Sequence, residues 1–174
     1  VYKRQNLDSM KSRNILLRRQ KHFKFDAICC MKMPELYPGQ NCGMTCYYDE
    51  NTYIKFAVFA TLDEEPKLML NIVEKIGEEV ITHEGIMVDN SNPYIYLKCE
   101  TNYLRRVFSY SYNEKDYKKV AALDNVYYLC DEGYNKGKRF TGAMIGMYAF
   151  AGTYGTQYTD TEGRHGIDAV SYTH

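Results

Sequence analysis

The feature that most constrains this chain is a succession of short apolar segments with period-two alternation, separated by turn residues. Residues 43–48 (GMTCYY), the turn at 49–52 (DENT) and residues 53–60 (YIKFAVFA) together predict a β-hairpin. Residues 93–101 (PYIYLKCET) and 105–112 (RRVFSYSY) predict a second one. Strands and turns at this spacing, without a convincing helical period, indicate an all-β sandwich or jelly roll, with room for one helical turn within residues 121–129.

Length and charge narrow the possible classes of protein. A chain of 174 residues suits one domain, and we assign residues 1–13 as a linker or tail and residues 14–174 as a single β-sandwich domain. The net charge is zero, so no overall field favours nucleic acid or an anionic membrane as a partner. No apolar run approaches the roughly 18 residues of a membrane span, and the N-terminal residues do not have the pattern of a signal peptide.

The cysteines predict free thiols rather than a disulfide framework. Six are present, at Cys29, Cys30, Cys42, Cys46, Cys99 and Cys130. Cys42 and Cys46 lack the further ligands that a zinc site needs, and Cys46 and Cys99 lie in apolar strand patterns. Free thiols favour a reducing compartment, such as a bacterial cytoplasm, or an anaerobic source.

Period two assigns faces to the predicted strands. Ile54, Phe56 and Val58 share one face, and Ile95, Leu97 and Cys99 point inward from another strand. The outward set contains Tyr47, Tyr53, Lys55, Tyr96 and Lys98. Tyrosine rings can stack on sugar rings while hydroxyl and ammonium groups bond sugar hydroxyls, so these residues are candidates for a carbohydrate-binding face. The alternative is that the tyrosines pack against one another across strands.

Residues 139–152 (RFTGAMIGMYAFAG) predict a late core strand. Ala143, Ile145 and Met147 fall on one side of this strand. The glycines on the other side have no side chains, which leaves room over a concave surface. No helix opens after the glycines and no lysine with serine or threonine follows, so this is not a phosphate-binding loop.

Four segments in this order resemble one known family. They are residues 18–25 (RRQKHFKF), 43–56 (GMTCYYDENTYIKF), 140–149 (FTGAMIGMYA) and 167–172 (IDAVSY). Together they resemble the C-terminal β-sandwich of glycoside hydrolase family 43 β-xylosidases, a concanavalin-like domain also classified as carbohydrate-binding module family 91. The resemblance covers roughly residues 14–173 and implies a jelly roll of two antiparallel sheets. It also implies that the catalytic carboxylates lie in a preceding five-bladed propeller, for which this chain has no room.

The resemblance implies two further site residues. In family enzymes the loop that enters the FTGA segment reaches toward the substrate pocket, and the matching positions here are Arg139 and Phe140. The family's aromatic-rich loop GGFFTG is GKRFTG in this chain, and its last strand has lost two aromatics while keeping Asp168. Sandwich modules often hold a structural Ca²⁺. Because no cluster of oxygen ligands stands out here, no cofactor or metal is predicted.

Two functions follow as hypotheses. The first is a non-catalytic carbohydrate-binding module for xylan or xylo-oligosaccharides. The second is an accessory domain that completes the pocket of a neighbouring catalytic propeller and does not bind sugar alone. A hydrolase is disfavoured, because carboxylates such as Asp49 and Glu50 lie in turns rather than across a cleft. None of the four histidines lies at metal-ligand spacing.

Overall fold

The computed structural model describes residues 6–8, 14–133, 142–150 and 169–173, the last range as backbone only. Within these ranges the chain forms two antiparallel sheets and one short 3₁₀ helix, Tyr127–Leu129. The predicted all-β sandwich is confirmed, and the helical turn lies inside the stretch expected to hold one. Nothing helical in the described ranges has the length and apolar character of a membrane span.

The larger sheet has seven described strands in the order β1-β11-β3-β4-β5-β6, with β7 pairing a further part of β5. These strands are β1 (Ile15–Arg19), β3 (Asn41–Asp49), β4 (Thr52–Ala60), β5 (Leu68–Ile76), β6 (Glu79–Thr82), β7 (Ile86–Met87) and β11 (Met144–Phe150). The smaller sheet has five described strands in the order β10-β9-β8-β2-β12. These are β2 (Lys24–Lys32), β8 (Tyr94–Asn102), β9 (Arg105–Ser111), β10 (Lys118–Leu123) and β12 (Ala169–Thr173).

Both predicted hairpins form, and their turns have local causes. Glu50 and Asn51 connect β3 to β4, and the Asp49 carboxylate accepts a hydrogen bond from the Asn51 backbone N–H at 2.9 Å. At the β5–β6 turn Gly77 adopts φ 65°, a conformation that side-chain-bearing residues rarely take. Turns of this kind fix the strand register, and the register decides which residues reach the core.

The hydrophobic core lies between the two sheets and contains the residues that the period-two pattern predicts to face inward. Ile54, Phe56 and Val58 of β4 are buried, as are Ile95 and Leu97 of β8. Phe56 of the larger sheet meets Phe108 of the smaller one with ring centroids 5.2 Å apart, so the sheets are in direct apolar contact. Burial of these side chains supplies the main driving force that holds the sandwich together.

The late strand predicted from residues 139–152 is β11, and the role of one of its glycines is clear from the structure. A Cβ atom at Gly146 would lie 1.9 Å from the carbonyl oxygen of Leu16 in β1. The glycine therefore allows a close approach of the neighbouring backbone. Because β1 pairs beside β11 in the same sheet, this contact explains the glycine, and the open space over the outer face stays a prediction.

Candidate functional site

The outer face of the larger sheet carries three of the predicted sugar-binding residues. Tyr47 of β3 and Tyr53 of β4 are directly opposite in register, and their rings stack with centroids 6.1 Å apart and planes within 10°. The ammonium group of Lys55 lies 5.5 Å from the Tyr53 ring centroid and 5.6 Å from that of Tyr148 in β11. We call these four residues, Tyr47, Tyr53, Lys55 and Tyr148, the tyrosine face.

A segment near the N-terminus covers the tyrosine face. Leu7 is only 1% exposed and forms a small apolar cluster with Tyr53, Tyr148, Ala57 and Phe150. Residues 6–8 belong to the stretch assigned as linker or tail, and the structure packs them on the sheet. A second hydrophobic cluster therefore exists outside the sandwich core, and Tyr53, at 3% exposed, is part of it.

Polar contacts hold the same segment in place. The Lys55 ammonium donates a hydrogen bond to the side-chain oxygen of Asn6 at 2.7 Å. The Tyr47 hydroxyl donates to the carbonyl oxygen of Leu7 at 3.5 Å. Within the sheet, the Tyr148 hydroxyl donates to the Asn41 side chain of β3 at 2.8 Å. Lys55 and Tyr47, two residues expected to meet sugar hydroxyls, thus bond groups of this segment.

Burial changes the electrostatics of the tyrosine face. Desolvation lowers the pKa of Lys55 to about 8; the nearby charge of Asp8 opposes this effect, and that of Lys75 adds to it. Burial also raises the pKa of Tyr53, with smaller contributions from Asp8 and Tyr47. Both shifts have the sign of groups removed from water, which agrees with a covered surface and not with an open binding platform.

The remaining predicted residues lie elsewhere. Tyr96 is on the outer face of the smaller sheet, opposite Cys30 in register, and so lies on the other side of the sandwich from Tyr53. Its neighbour Lys98 pairs with Asp26 and Glu100, each at 2.9 Å. The predicted positions Arg139 and Phe140 lie outside the described residues. The structure thus brings Tyr47, Tyr53 and Lys55 together and separates Tyr96 from them.

Sequence reasoning missed Tyr148 of the tyrosine face and Leu7, which covers that face. Leu7 stands alone as an aliphatic residue in the polar residues 2–9, and this isolation was the only signal of its role. Tyr148 alternates with Ile145 and Met147 and so falls on the outer side of its strand, but nothing in the pattern shows that it joins Lys55. Both contacts link residues far apart in the sequence, which a local pattern does not report.

A polar cluster inside the sandwich was also not anticipated. Glu74 of β5 points toward the core and is 7% exposed. One carboxylate oxygen lies 2.7 Å from the His83 ring nitrogen, and the other accepts a hydrogen bond from the Tyr128 hydroxyl. Both oxygens are engaged, which suits a structural tie between the larger sheet and the 3₁₀ helix. Among the described residues, no group of three or more His, Cys, Asp or Glu side chains is arranged to hold a metal ion.

One end of the sandwich exposes two aromatic rings. Phe23 and Tyr103 are 71% and 57% exposed, and their rings stack with centroids 5.7 Å apart and planes within 11°. The backbone of Tyr103 has a φ of 53°. Two hydrogen bonds of 2.7 Å fix it: the Tyr103 N–H donates to the carbonyl oxygen of Phe23, and the Arg106 guanidinium donates to the carbonyl oxygen of Tyr103. Arg106 also donates a hydrogen bond to the side-chain oxygen of Gln20, and the backbone N–H of Gln20 donates to the carbonyl oxygen of Ala143. Because Ala143 directly precedes β11, this aromatic pair lies near the start of β11.

Known proteins with similar sequences or structures include β-xylosidases and a GH43 protein. The family described as the β-xylosidase C-terminal concanavalin A-like domain matches residues 1–162. A β-xylosidase of Bacillus subtilis is 26% identical over 170 residues, which is 95% of this chain and 29% of that protein. A putative β-xylosidase of Escherichia coli is 22% identical over 85% of this chain and 28% of that protein. The crystal structure of the GH43 BlXynB protein from Bacillus licheniformis superposes with a TM-score of 0.77 at 27% identity, over 87% of this chain and 28% of that one. The chain spans less than a third of the length of each of these three proteins.

Proposed function

We infer the function of this chain from its family: it belongs to the β-xylosidase C-terminal concanavalin A-like domains of glycoside hydrolase family 43. It corresponds to the C-terminal domain of these enzymes and not to their catalytic propeller. We propose that it is a non-catalytic accessory domain, which packs against a catalytic domain and supports the substrate pocket there. In this proposal it does not bind xylan through its tyrosine face.

The covered tyrosine face carries the proposal. Stacking on a sugar needs an aromatic ring with a free face in water. Tyr53 is 3% exposed, and the segment that contains Leu7 lies over it. A sugar would have to displace Leu7 and the Asn6–Lys55 hydrogen bond before it reached Tyr53, so binding there would cost apolar burial as well as a hydrogen bond.

The exposed pair Phe23 and Tyr103 supports docking of another domain. Clusters of exposed apolar side chains often mark a surface that a partner covers. The hydrogen bonds through Arg106 and Gln20 connect this pair to the start of β11, and Arg139 and Phe140 come shortly before β11 in the sequence. We propose that Arg139 and Phe140 extend the same docking surface toward the catalytic pocket.

A second candidate function is xylan binding by the smaller sheet. Its outer face carries Tyr96, which is half-buried, and the Lys98 ammonium, which lies 5.5 Å from the centroid of the Tyr117 ring. Aromatic rings beside a charged donor are the composition of a carbohydrate-contacting face. On this alternative the site is on the opposite surface from Tyr53, and Tyr96→Ala is the variant that abolishes binding.

Domain replacement tests the accessory role. This chain is fused in place of the C-terminal region of the Bacillus subtilis β-xylosidase, and hydrolysis of p-nitrophenyl xyloside is compared with that of the truncated and complete relatives. The proposal expects the folded chimera to be more active than the truncated enzyme. Phe23→Ser should reduce that gain, whereas Leu62→Ser, at a similarly exposed leucine (69%), should not. A folded chimera that is no more active than the truncated enzyme contradicts the proposal.

A further inference from the structure

Two cysteines from opposite sheets face each other in the core. Cys46 lies on β3 of the larger sheet and Cys99 on β8 of the smaller sheet, and both are buried. Their sulfur atoms are 3.9 Å apart. A disulfide has a sulfur–sulfur distance of about 2.0 Å, so a shift of about 2 Å shared between two side chains would close the bond. We call Cys46 and Cys99 the thiol pair.

A buried cation accompanies the thiol pair. Arg106 of β9 is 4% exposed and is held by hydrogen bonds to the carbonyl oxygens of Tyr103 and Arg105, at 2.7 and 3.0 Å. The hydrogen bond with Cys99 lowers the pKa of Cys46, and the Arg106 guanidinium adds to this effect against the opposing effect of burial. The same hydrogen bond, together with burial, raises the pKa of Cys99.

Two neighbouring core cysteines provide a contrast. Burial raises the pKa of Cys29 to about 12, and it raises the pKa of Cys42 to about 12 as well. Because the thiolate is the reactive form of cysteine, these two thiols are expected to be inert. The combination of a close second thiol and a cation that favours the thiolate distinguishes the thiol pair from them.

We propose that the thiol pair is a redox-responsive site that closes an inter-sheet disulfide when the domain meets a peroxide. The Cys46 thiolate attacks one oxygen of hydrogen peroxide and the O–O bond breaks, giving a sulfenic acid and, after protonation, one water. The Cys99 sulfur then attacks the sulfenic sulfur, its proton leaves with the hydroxyl group as a second water, and the S–S bond forms. Two thiols are oxidised by two electrons in total, and one peroxide is reduced to two waters. A small uncharged oxidant reaches the buried pair through local opening of the sandwich.

Closure would tie the sheets together at residues 53 positions apart in the sequence. A cross-link of that span restricts the unfolded chain, so the Tm of the oxidised domain should rise by about 5–10 °C. This inference concerns the core of the sandwich and is independent of how the domain docks or what it binds.

The experiment treats the folded chain with hydrogen peroxide, blocks the remaining thiols with N-ethylmaleimide, and maps peptides by mass spectrometry without reduction. The expected result is a peptide joined through Cys46 and Cys99, an intact mass lower by two hydrogens, and a higher Tm that dithiothreitol reverses. In Cys99→Ser the reaction should stop at a Cys46 sulfenic acid, which dimedone labels. Cys42→Ser, the matched control, should still form the bond. A cross-link between other cysteines, thiols of the pair that stay reduced in folded protein, or a Tm that does not rise would overturn the proposal.

Discussion

Leu7 and Tyr53 pack in one apolar cluster on the outer face of the larger sheet, with only 1% and 3% of their surfaces exposed. This relationship places a tyrosine from an outward-facing strand position in a buried environment. Tyr53 therefore contributes to stability as a residue of a small hydrophobic core. Its apolar surface is not accessible to a ligand while Leu7 is in place.

The first prediction concerns Leu7→Ala. Removal of a nearly buried leucine side chain should lower the free energy of unfolding by about 2–3 kcal/mol, because apolar burial is lost and a cavity forms over Tyr53. Urea unfolding followed by tyrosine fluorescence measures this, since the chain has no tryptophan. Leu16→Ala is the control: Leu16 is 65% exposed and its change should stay within about 0.5 kcal/mol. Equal effects for the two variants would show that Leu7 is not packed as described.

The second prediction concerns Tyr53→Ala. A buried aromatic should cost about 3–5 kcal/mol when truncated, so this variant should unfold at much lower urea concentration than the parent. Tyr94→Ala provides the comparison, because Tyr94 is 40% exposed at the start of β8. An unchanged stability in Tyr53→Ala, together with loss of an affinity for xylo-oligosaccharide, would return Tyr53 to the role of ligand contact.

The third prediction concerns pH. The pKa of Lys55 is lowered from 10.5 to about 8 in the folded domain, so between these values the unfolded chain binds more protons. The contribution of Lys55 to the free energy of unfolding should then rise with pH, by at most about 1.4 kcal/mol per pH unit. Below about pH 7 it should be constant, because Lys55 is protonated in both the folded and the unfolded chain. We expect the wild type to gain stability relative to Lys55→Met between about pH 8 and 9.5 in urea titrations.

Lys98→Met is the control for that titration. Burial lowers the pKa of Lys98, but hydrogen bonds to Glu100 and Asp26 outweigh this effect and raise it overall. Lys98 therefore stays protonated over the same pH range in both states, and its substitution should leave the pH dependence unchanged. A Lys55→Met curve parallel to that of the wild type would contradict the burial of Lys55.

The fourth prediction concerns Gly146→Ala. The added Cβ would lie 1.9 Å from the Leu16 carbonyl oxygen, so β1 must move away from β11. We expect a loss of about 3 kcal/mol, at the upper end of overpacking effects, together with faster hydrogen exchange in β1. At Gly85 the nearest atom to an added Cβ is 3.5 Å away, so Gly85→Ala should be nearly neutral. A neutral Gly146→Ala would refute the close approach of β1.

Local pattern was enough to predict most of the sandwich. Side chains of a strand alternate strictly, so Phe56 and Leu97 were assigned to the core from sequence alone, and the turn at Glu50 and Asn51 was recognised from its polar residues. The family resemblance then supplied the concanavalin-like topology, which the family match and the solved structures confirm.

The arrangement of the candidate site was beyond local pattern. Period two shows that Tyr53 and Tyr96 point outward from their strands, but it does not show that the strands belong to different sheets, which is why one site was predicted where there are two faces. It also gives no information about Leu7, whose contact with Tyr53 spans more than 40 positions and follows no repeat. The roles of Arg139 and Phe140 stay predictions.

Titration calorimetry of the purified chain with xylohexaose, with cellohexaose as control, measures whether the covered tyrosine face is closed to sugar. We expect no binding heat for either sugar, because the tyrosine face is covered and, as proposed, the domain acts beside a catalytic partner. Binding of xylohexaose in the micromolar to millimolar range, weakened in Tyr53→Phe and strengthened in Leu7→Ala, would contradict this expectation. Such a result would mean that Leu7 yields to the sugar and that the tyrosine face is a xylan-binding site.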